Sequence, residues 1–384
     1  MKQVIKIKRM PRLRFAVLAL AVALTATAQA ADTLKVKFRS RALLDATASG
    51  YGKDDVQGYY RLEDFRVGFK AGYGKLELKA DIGLGGGKVA VKDLQLNYNF
   101  KHGVVSIGNG YEPFSMDMLI STADLRFHQS ASSVLAFTDG RKLGVTCHCY
   151  NDHWYLATGV YTNNDINKLG DDKRNSLVST SRAVWRKRNK PCGSLFHVGG
   201  ALSLRTKDVN KKLPTGSVVS AGVTSMFPEE LLGAEIEGMG SQLKALAEVL
   251  YTSRKVLLQG EYFYDRINRT GGRQAYNAHG GYLQGSCLIV GEGFDYDAMY
   301  GIPGRPLSDR AVELTVRFNY TDLNDGKSGI CGGEEKDLSL GVNFYLNKYV
   351  GLKFNASYVW VGAGCNSFYD KDFFLAQARI QYIF

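Results

Sequence analysis

The sequence predicts an all-β chain: a 16-stranded antiparallel transmembrane β-barrel of the outer-membrane type. Three observations predict it. Alternating apolar and polar segments recur from residue 33 to the last residue, separated by Gly, Asn, Asp and Lys turns. No stretch beyond residue 30 is long and apolar enough to cross a membrane as a helix. The first 30 residues have the layout of a secretory leader.

That leader places Lys2, Lys6, Lys8, Arg9, Arg12 and Arg14 ahead of the apolar run FAVLALAVAL, and closes on small residues at Ala28 and Ala30. Residues 1–30 are read as a cleaved signal peptide and 31–384 as one barrel domain, exported through the inner membrane to the bacterial outer membrane. A retained N-terminal anchor is the alternative, which the shortness of the run disfavours. The whole chain carries 49 basic and 37 acidic residues, a formal +12; without the six leader cations it is 43 against 37, or +6. A nucleic-acid reading built on the basic composition would rest half on discarded residues, and no nucleic-acid partner is expected.

The first strand shows the rule. In LKVKFRSRA, Leu34, Val36, Phe38, Ser40 and Ala42 share one face, and Lys35, Lys37, Arg39 and Arg41 the other. Further strands fall near 62–72, 75–84, 92–101, 104–113, 141–150, 153–162, 177–188 and 194–206. The remainder lie near 241–252, 256–268, 278–290, 311–323, 336–347, 350–361 and 373–384. An even count puts both termini in the periplasm. KHG, ND, TSRK and NKY then become short periplasmic turns, and 48–61, 114–140, 163–176, 207–240, 269–277, 324–335 and 362–372 become the long loops. A soluble β-sandwich would instead need Greek-key connections and a dry core between sheets. The last strand ends on Phe384, similar to the terminal signature read by the outer-membrane assembly machinery.

Lipid outside and water inside sort the two rows of each strand. Val312, Leu314, Val316 and Phe318 form an outward row, and Glu313, Thr315, Arg317 and Asn319 the inward one. A 16-strand barrel is wide enough for an aqueous channel. The same parity sends Lys35, Lys37, Arg39, Arg41, Arg66, Lys70, Lys75, Lys79, Arg182, Arg186, Arg205, Lys244, Arg317, Lys353 and Arg379 into the lumen. Fewer acids face them: Glu77, Asp81, Asp93, Glu248, Glu261, Asp265 and Glu313. Closure sets the first strand beside the last, which joins many of these cations into one wall. A one-signed wall beside low-dielectric lipid concentrates anions, so the expectation is an anion-preferring channel. A generic lumen with a basic wall facing an acidic constriction is the bland alternative.

GNGYEPFSMDML followed by FTDGRKLGV, then YLQGSCLIVGEGFDY, and above all AVELTVRFNYTDLND with GGEEKDLSLGVNFYLNKYVGLKFNASYVWV, resemble the phosphate-selective porin family, porins O and P. The resemblance is good over 277–384 and 104–145, loose over 60–101, and a matter of pattern between 150 and 255. It implies an outer-membrane porin fold: a homotrimeric 16-strand barrel whose third loop folds inward to make the narrow point and whose lumen Arg and Lys residues pass phosphate-like anions. Arg126 on that loop, with Arg141 and Lys142 after it, are the matching positions here. Asp117, Asp124 and Asp139 on the same loop depart from a strongly basic pattern, and His128 is a titratable neighbour. The segment 291–310, with Arg305 and Arg310, matches a periplasmic turn that in the family reaches into the lumen.

Other motifs have plainer readings. Cys147 and Cys149 flank His148, but parity turns both thiols to lipid and His148 inward, so no metal is expected. Cys331 and Cys365 sit in external loops of an oxidising compartment, where a disulfide between them is an expectation. GLGGGKVAV lacks the Ser or Thr of a phosphate loop and reads as a hairpin. Of six histidines only His148 and His197 read as inward, neither with an acid at adjacent spacing, so neither catalysis nor a cofactor is expected. A sugar or carboxylate porin, an adhesin and a barrel enzyme are the alternatives, in that order.

Overall fold

A computed structural model describes residues 33–384 apart from 51–55, 86–88, 169–175, 190–192, 208–215, 227–229 and 368–370. The leader assigned to 1–30 therefore lies outside the described residues. Sixteen strands close one antiparallel barrel. They are β1 (Lys35–Gly50), β2 (Val56–Tyr73), β3 (Leu76–Gly83), β4 (Ala90–Phe100), β5 (Gly103–Gly110), β6 (Lys142–Tyr150), β7 (Trp154–Thr162), β8 (Leu177–Asn189) and β9 (Ser194–Arg205). After a hairpin of β10 (Gly216–Ala221) and β11 (Leu232–Glu237), the barrel resumes with β12 (Met239–Thr252), β13 (Val256–Arg269) and β14 (Tyr276–Val290). A second hairpin, β15 (Phe294–Asp297) and β16 (Ile302–Pro306), precedes β17 (Ala311–Asp322), β18 (Glu334–Tyr345), β19 (Val350–Val361) and β20 (Phe373–Ile383). β1 closes the sheet on β20, with Asp45 opposite Arg379 and Ser40 bonded in both directions to Phe384.

All sixteen expected strands form, each within a few residues of its expected span. The main shift is at β2, which begins at Val56, so the loop expected over 48–61 contracts to a few residues. The cause is a bulge: Leu43 pairs with Asp64 but Leu44 with Leu62, leaving Glu63 over. One extra residue flips the period-two pattern and hides the upper half of the strand from a parity reading.

Side-chain parity follows lipid and water. Val145, Leu202, Leu283, Leu340, Phe354 and Ile380 stand exposed on the outer face, whereas Arg182, Glu248, Glu313, Lys353 and Arg379 are buried on the inner one. That inversion of a soluble core is what a bilayer solvent requires. The expected long loops also have structure of their own. The segment from Tyr111 to Arg141 carries two short helices, α1 (Met116–Leu119) and α2 (Ser132–Phe137). Phe114, Val134 and Phe137 pack with Phe263, Ile267 and Tyr276 and with Val219, Leu231 and Ile236 of the β10–β11 loop. At Gly280, where Phe137 crosses β14, an added Cβ would lie 2.7 Å from the Tyr320 carbonyl and 3.0 Å from the Phe137 ring. Glycine there makes the close approach of α2 to the wall.

Candidate functional site

A cavity of about 610 Å³ runs along the inner wall of β1–β4. It is lined by six cations, Arg39, Arg41, Arg66, Lys70, Lys79 and Arg141, against four carboxylates, Asp81, Asp93, Asp124 and Asp297. Strand pleat explains the grouping: Arg41 faces Arg66 and Lys70 faces Lys79 across neighbouring strands. Like charges so placed repel, and carboxylates divide them. Asp64 accepts from Arg41 Nε at 2.7 Å and from Arg66 Nη2 at 3.1 Å. Asp93 accepts from Arg141 Nε at 2.6 Å and pairs with Lys79 at 2.8 Å. Asp81 takes Arg39 at 2.5 Å, and Glu77 takes Lys70 at 3.5 Å. Two of the carboxylates thus hold two cations each, and each such trio keeps a net positive charge facing the cavity. Arg141 also lies 4.3 Å over the Tyr111 ring and donates to its hydroxyl at 3.0 Å, which fixes its fork in place.

The wall from β13 round to β20, which adjoins β1, holds the segment 111–141 in position. Glu261 on β13 accepts from Ser115 Oγ at 3.0 Å and from the Met116 and Asp117 amides at 2.7 and 3.2 Å. Lys353 on β19 donates to the carbonyls of Ala123, at 3.1 Å, and Leu125. Arg379 holds both oxygens of Asp45 and donates to Thr122 O at 3.3 Å. Arg317 donates to Gln129 O at 3.0 Å and lies 4.4 Å over Phe127. From the cavity side Arg41 donates to Ser121 Oγ at 2.6 Å. Within the segment, burial pushes the Asp117 carboxyl up. Burial does the same to Asp139, but Lys142 and Lys244, at 2.6 and 3.0 Å, outweigh it and hold Asp139 well below the usual carboxylate range.

The β15–β16 hairpin meets this segment from the periplasmic turn. Arg126 donates to Gly304 O at 2.7 Å, and Arg305 pairs with Asp124. The wall grips the hairpin's other side: Arg182 donates to Tyr300 O and Gly301 O at 2.8 Å each, and Arg186 to Ala298 O at 2.8 Å. Arg182 also binds Glu248 at 2.9 Å, both side chains fully buried. Arg182→Met is expected to destabilise the barrel by about 3–5 kcal/mol, because it strands a buried carboxylate. A lowered unfolding temperature in detergent checks this.

The expected site residues thus divide. Arg39, Arg41, Arg66, Lys70, Lys79 and Arg141 come together on the cavity. Lys35, Lys37 and Lys75 sit exposed at the periplasmic rim, outside it. Arg126, Lys142, Arg182, Arg186, Arg205, Arg317, Lys353 and Arg379 are not brought to the cavity; each is committed to a carbonyl, amide or carboxylate elsewhere, Arg205 to Asn163 at 2.9 Å. Parity assigns a face but cannot say which inward cations a folded loop will cover. Parity reasoning also missed Asp45 and Asp64 as inward acids, and missed the acid beside His197. His197 Nε2 lies 2.9 Å from Glu248, which arrives from the neighbouring strand rather than along its own. Cys331 and Cys365 both stand as free thiols, Cys365 Sγ lying 3.1 Å from Glu334 O.

His128 sits in the segment 111–141 with Nδ1 donating to Asn355. Burial first, then the Arg379 charge, push it down to about 4, with Asp45 opposing. A depressed histidine favours its neutral form when folded. Its contribution is complete above pH 6.5, falls as pH drops from there, and is lost by about 4. Loop seating is therefore expected to weaken between pH 6.5 and 4 in the native chain and less so in His128→Asn, read as conductance fluctuation on the two sides of that window.

Similarity to known proteins agrees with the architecture. A protein of Caulobacter vibrioides described as uncharacterized is 26% identical over 288 residues, 70% of this chain; the match spans about half, 55%, of that relative's length. Among solved structures, an anion-selective porin from Comamonas acidovorans superposes with a TM-score of 0.58 at 12% identity, covering 92% of this chain and all of that one. OmpT expressed in the outer membrane of Vibrio cholerae gives 0.60 at 12% identity, over 92% and 99%, and its trimer form 0.58 at 12%, over 92% and 100%. At such identities these likenesses show the fold, an outer-membrane β-barrel. The model of the family described as phosphate-selective porin O and P matches residues 23–384, nearly the whole chain, and the protein belongs to that outer-membrane porin family.

Proposed function

We propose that this porin is an anion-preferring diffusion channel for phosphate or similar anions, with no catalysis. The observation that carries the reading is the cavity itself: six cations, five of them on β1–β3, against four carboxylates, with the segment 111–141 tied to strands from β13 to β20. Guanidinium groups offer forked donors that match phosphate and carboxylate, and several in series let an anion pass from one to the next. The segment 111–141 and the β15–β16 hairpin meet at Asp124–Arg305 and Arg126–Gly304, and we take that junction as the narrow point.

A second reading, a general or differently selective porin for sugars or carboxylates, draws on the pairing of the wall cations with Asp64, Asp81 and Asp93. Paired charges attract a permeant anion less than bare ones. A reversal potential in planar bilayers under a potassium chloride gradient separates the two. Chloride selectivity, with conductance blocked by added phosphate, supports the phosphate reading; selectivity near zero overturns it in favour of general diffusion. Homotrimeric assembly in the bilayer, and removal of residues 1–30 on export, complete the proposal; the trimer form of the Vibrio cholerae OmpT supports the first.

A further inference from the structure

The outer surface carries a cleft unrelated to the channel. It holds about 640 Å³ at the turn between β6 and β7 and is lined by Asn151, Asp152, His153, Trp154, Trp185 and Lys187. Two of the three tryptophans in the chain meet there. Trp154 begins β7 directly opposite Trp185 on β8, and both belong to the outward rows, since the next cross-strand pair, Tyr155 and Val184, is fully buried. Trp185 is braced edge-on by Phe196 at 6.3 Å. The turn is fixed rather than loose. Asn151 Oδ1 accepts from the His153 and Trp154 amides at 2.8 and 2.7 Å, Asn151 N donates to Trp154 O at 2.8 Å, and Arg186 N donates to His153 O at 2.7 Å.

Two opposite charges remain uncommitted in this cleft. Asp152 and Lys187 are exposed, and neither forms an ion pair among the described residues. Elsewhere along the wall, acids and bases facing one another are paired, as at Asp64, Asp81 and Asp93. Their level is fixed too: short turns on the side of the chain termini place the cleft at the periplasmic interface of the bilayer. Tryptophan prefers that depth, with the ring among acyl chains and the N–H toward water.

We propose that this cleft binds the headgroup of a phosphatidylethanolamine-type phospholipid of the periplasmic leaflet. The headgroup is a zwitterion with a primary ammonium a few bonds from a phosphodiester. Aromatic faces at Trp154 and Trp185 and the carboxylate of Asp152 receive the ammonium. Lys187 receives the phosphate. The acyl chains run up the outer wall past Leu156. Charge complementarity selects the class: an anionic headgroup satisfies Lys187 but meets Asp152 with repulsion, and a quaternary ammonium satisfies the indoles but has no N–H for Asp152. The site is independent of what the channel passes.

The test is native mass spectrometry of the purified barrel in detergent with equal amounts of dioleoyl phosphatidylethanolamine, phosphatidylcholine and phosphatidylglycerol. The ethanolamine lipid is expected to be retained roughly tenfold over the other two. Asp152→Asn should bring it down to the level of the choline lipid and leave the glycerol lipid no weaker. Lys187→Gln should weaken all three, whereas Lys348→Gln, on a different periplasmic turn, should change nothing. Equal retention of the three lipids by the native chain, or an ethanolamine preference that survives Asp152→Asn, would overturn the proposal and leave a general annular belt. Both variants change exposed side chains, Asp152 on the turn held by Asn151 and Lys187 near the end of β8, and unaltered heat-modifiable migration verifies their folding.

Discussion

Replacing Arg39, Arg41, Arg66 and Lys79 together with glutamine should abolish most of the anion preference while leaving the barrel folded. All four line the cavity, and their partners Asp64, Asp81 and Asp93 remain behind. The wall then changes from net positive to net negative, so the reversal potential should cross toward potassium. A focused one-signed wall is worth roughly tenfold or more in local ion concentration, and the permeability ratio should move by about that factor. The matched control is Lys35, Lys37 and Lys75 to glutamine. Lys35 and Lys37 belong to β1 and Lys75 to the β2–β3 turn, and all three stand at the rim outside the cavity. An unchanged reversal potential in the first set, or an equal shift in the second, would remove the cavity from the account of selectivity.

Lys353→Met is expected to widen the channel. The ammonium is almost wholly buried and spends its hydrogen bonds on the carbonyls of Ala123 and Leu125. Methionine fills a similar volume but donates nothing, leaving the Leu125 carbonyl unsatisfied at a cost of about 1–3 kcal/mol and the Ala123 carbonyl with only the 3.5 Å bond from Arg305. The barrel ladder between β18, β19 and β20 does not depend on this side chain. The loss should therefore fall on the seat of residues 121–125 rather than on the wall. Single-channel conductance should rise and become noisier, and anion preference should fall because less of the current passes beside Arg41 and Arg66. A quiet channel of native conductance would show that Arg379, Arg41 and Arg305 hold this turn without Lys353.

These two results bear on how cations of the same parity come to do different work. Arg41 and Lys353 read alike in the sequence: each is an inward cation in an alternating strand. Their difference arises from the turn at 121–125, at least 80 residues from either in sequence, which takes both bonds of Lys353 but touches Arg41 only through Ser121 and leaves the rest of the β1–β4 wall open. Arg126 is the reverse case. Its place on the third loop suggested a channel role, yet it is buried against Glu313, Phe294 and the Gly304 carbonyl, on the side of the loop that the β15–β16 hairpin covers.

The sequence by itself determined the strand number, the sidedness of the turns, the lipid face and the water face. Each of these follows from a local period of two and from the lengths of the connections, and a local signal needs no partner to be read. Even there the Glu63 bulge erased the pattern, because a single extra residue reverses every face beyond it. Only the tertiary structure decided which inward cations meet water. That choice depends on where the segments 111–141 and 291–310 dock, and docking is set by contacts between residues far apart in the chain, such as Glu261 with Ser115 and Arg305 with Asp124. Such contacts leave no periodicity in sequence. Hydrogen bonding to loop carbonyls and carboxylates turned half of the expected lumen cations into anchors, and what remained open is the wall of β1–β4.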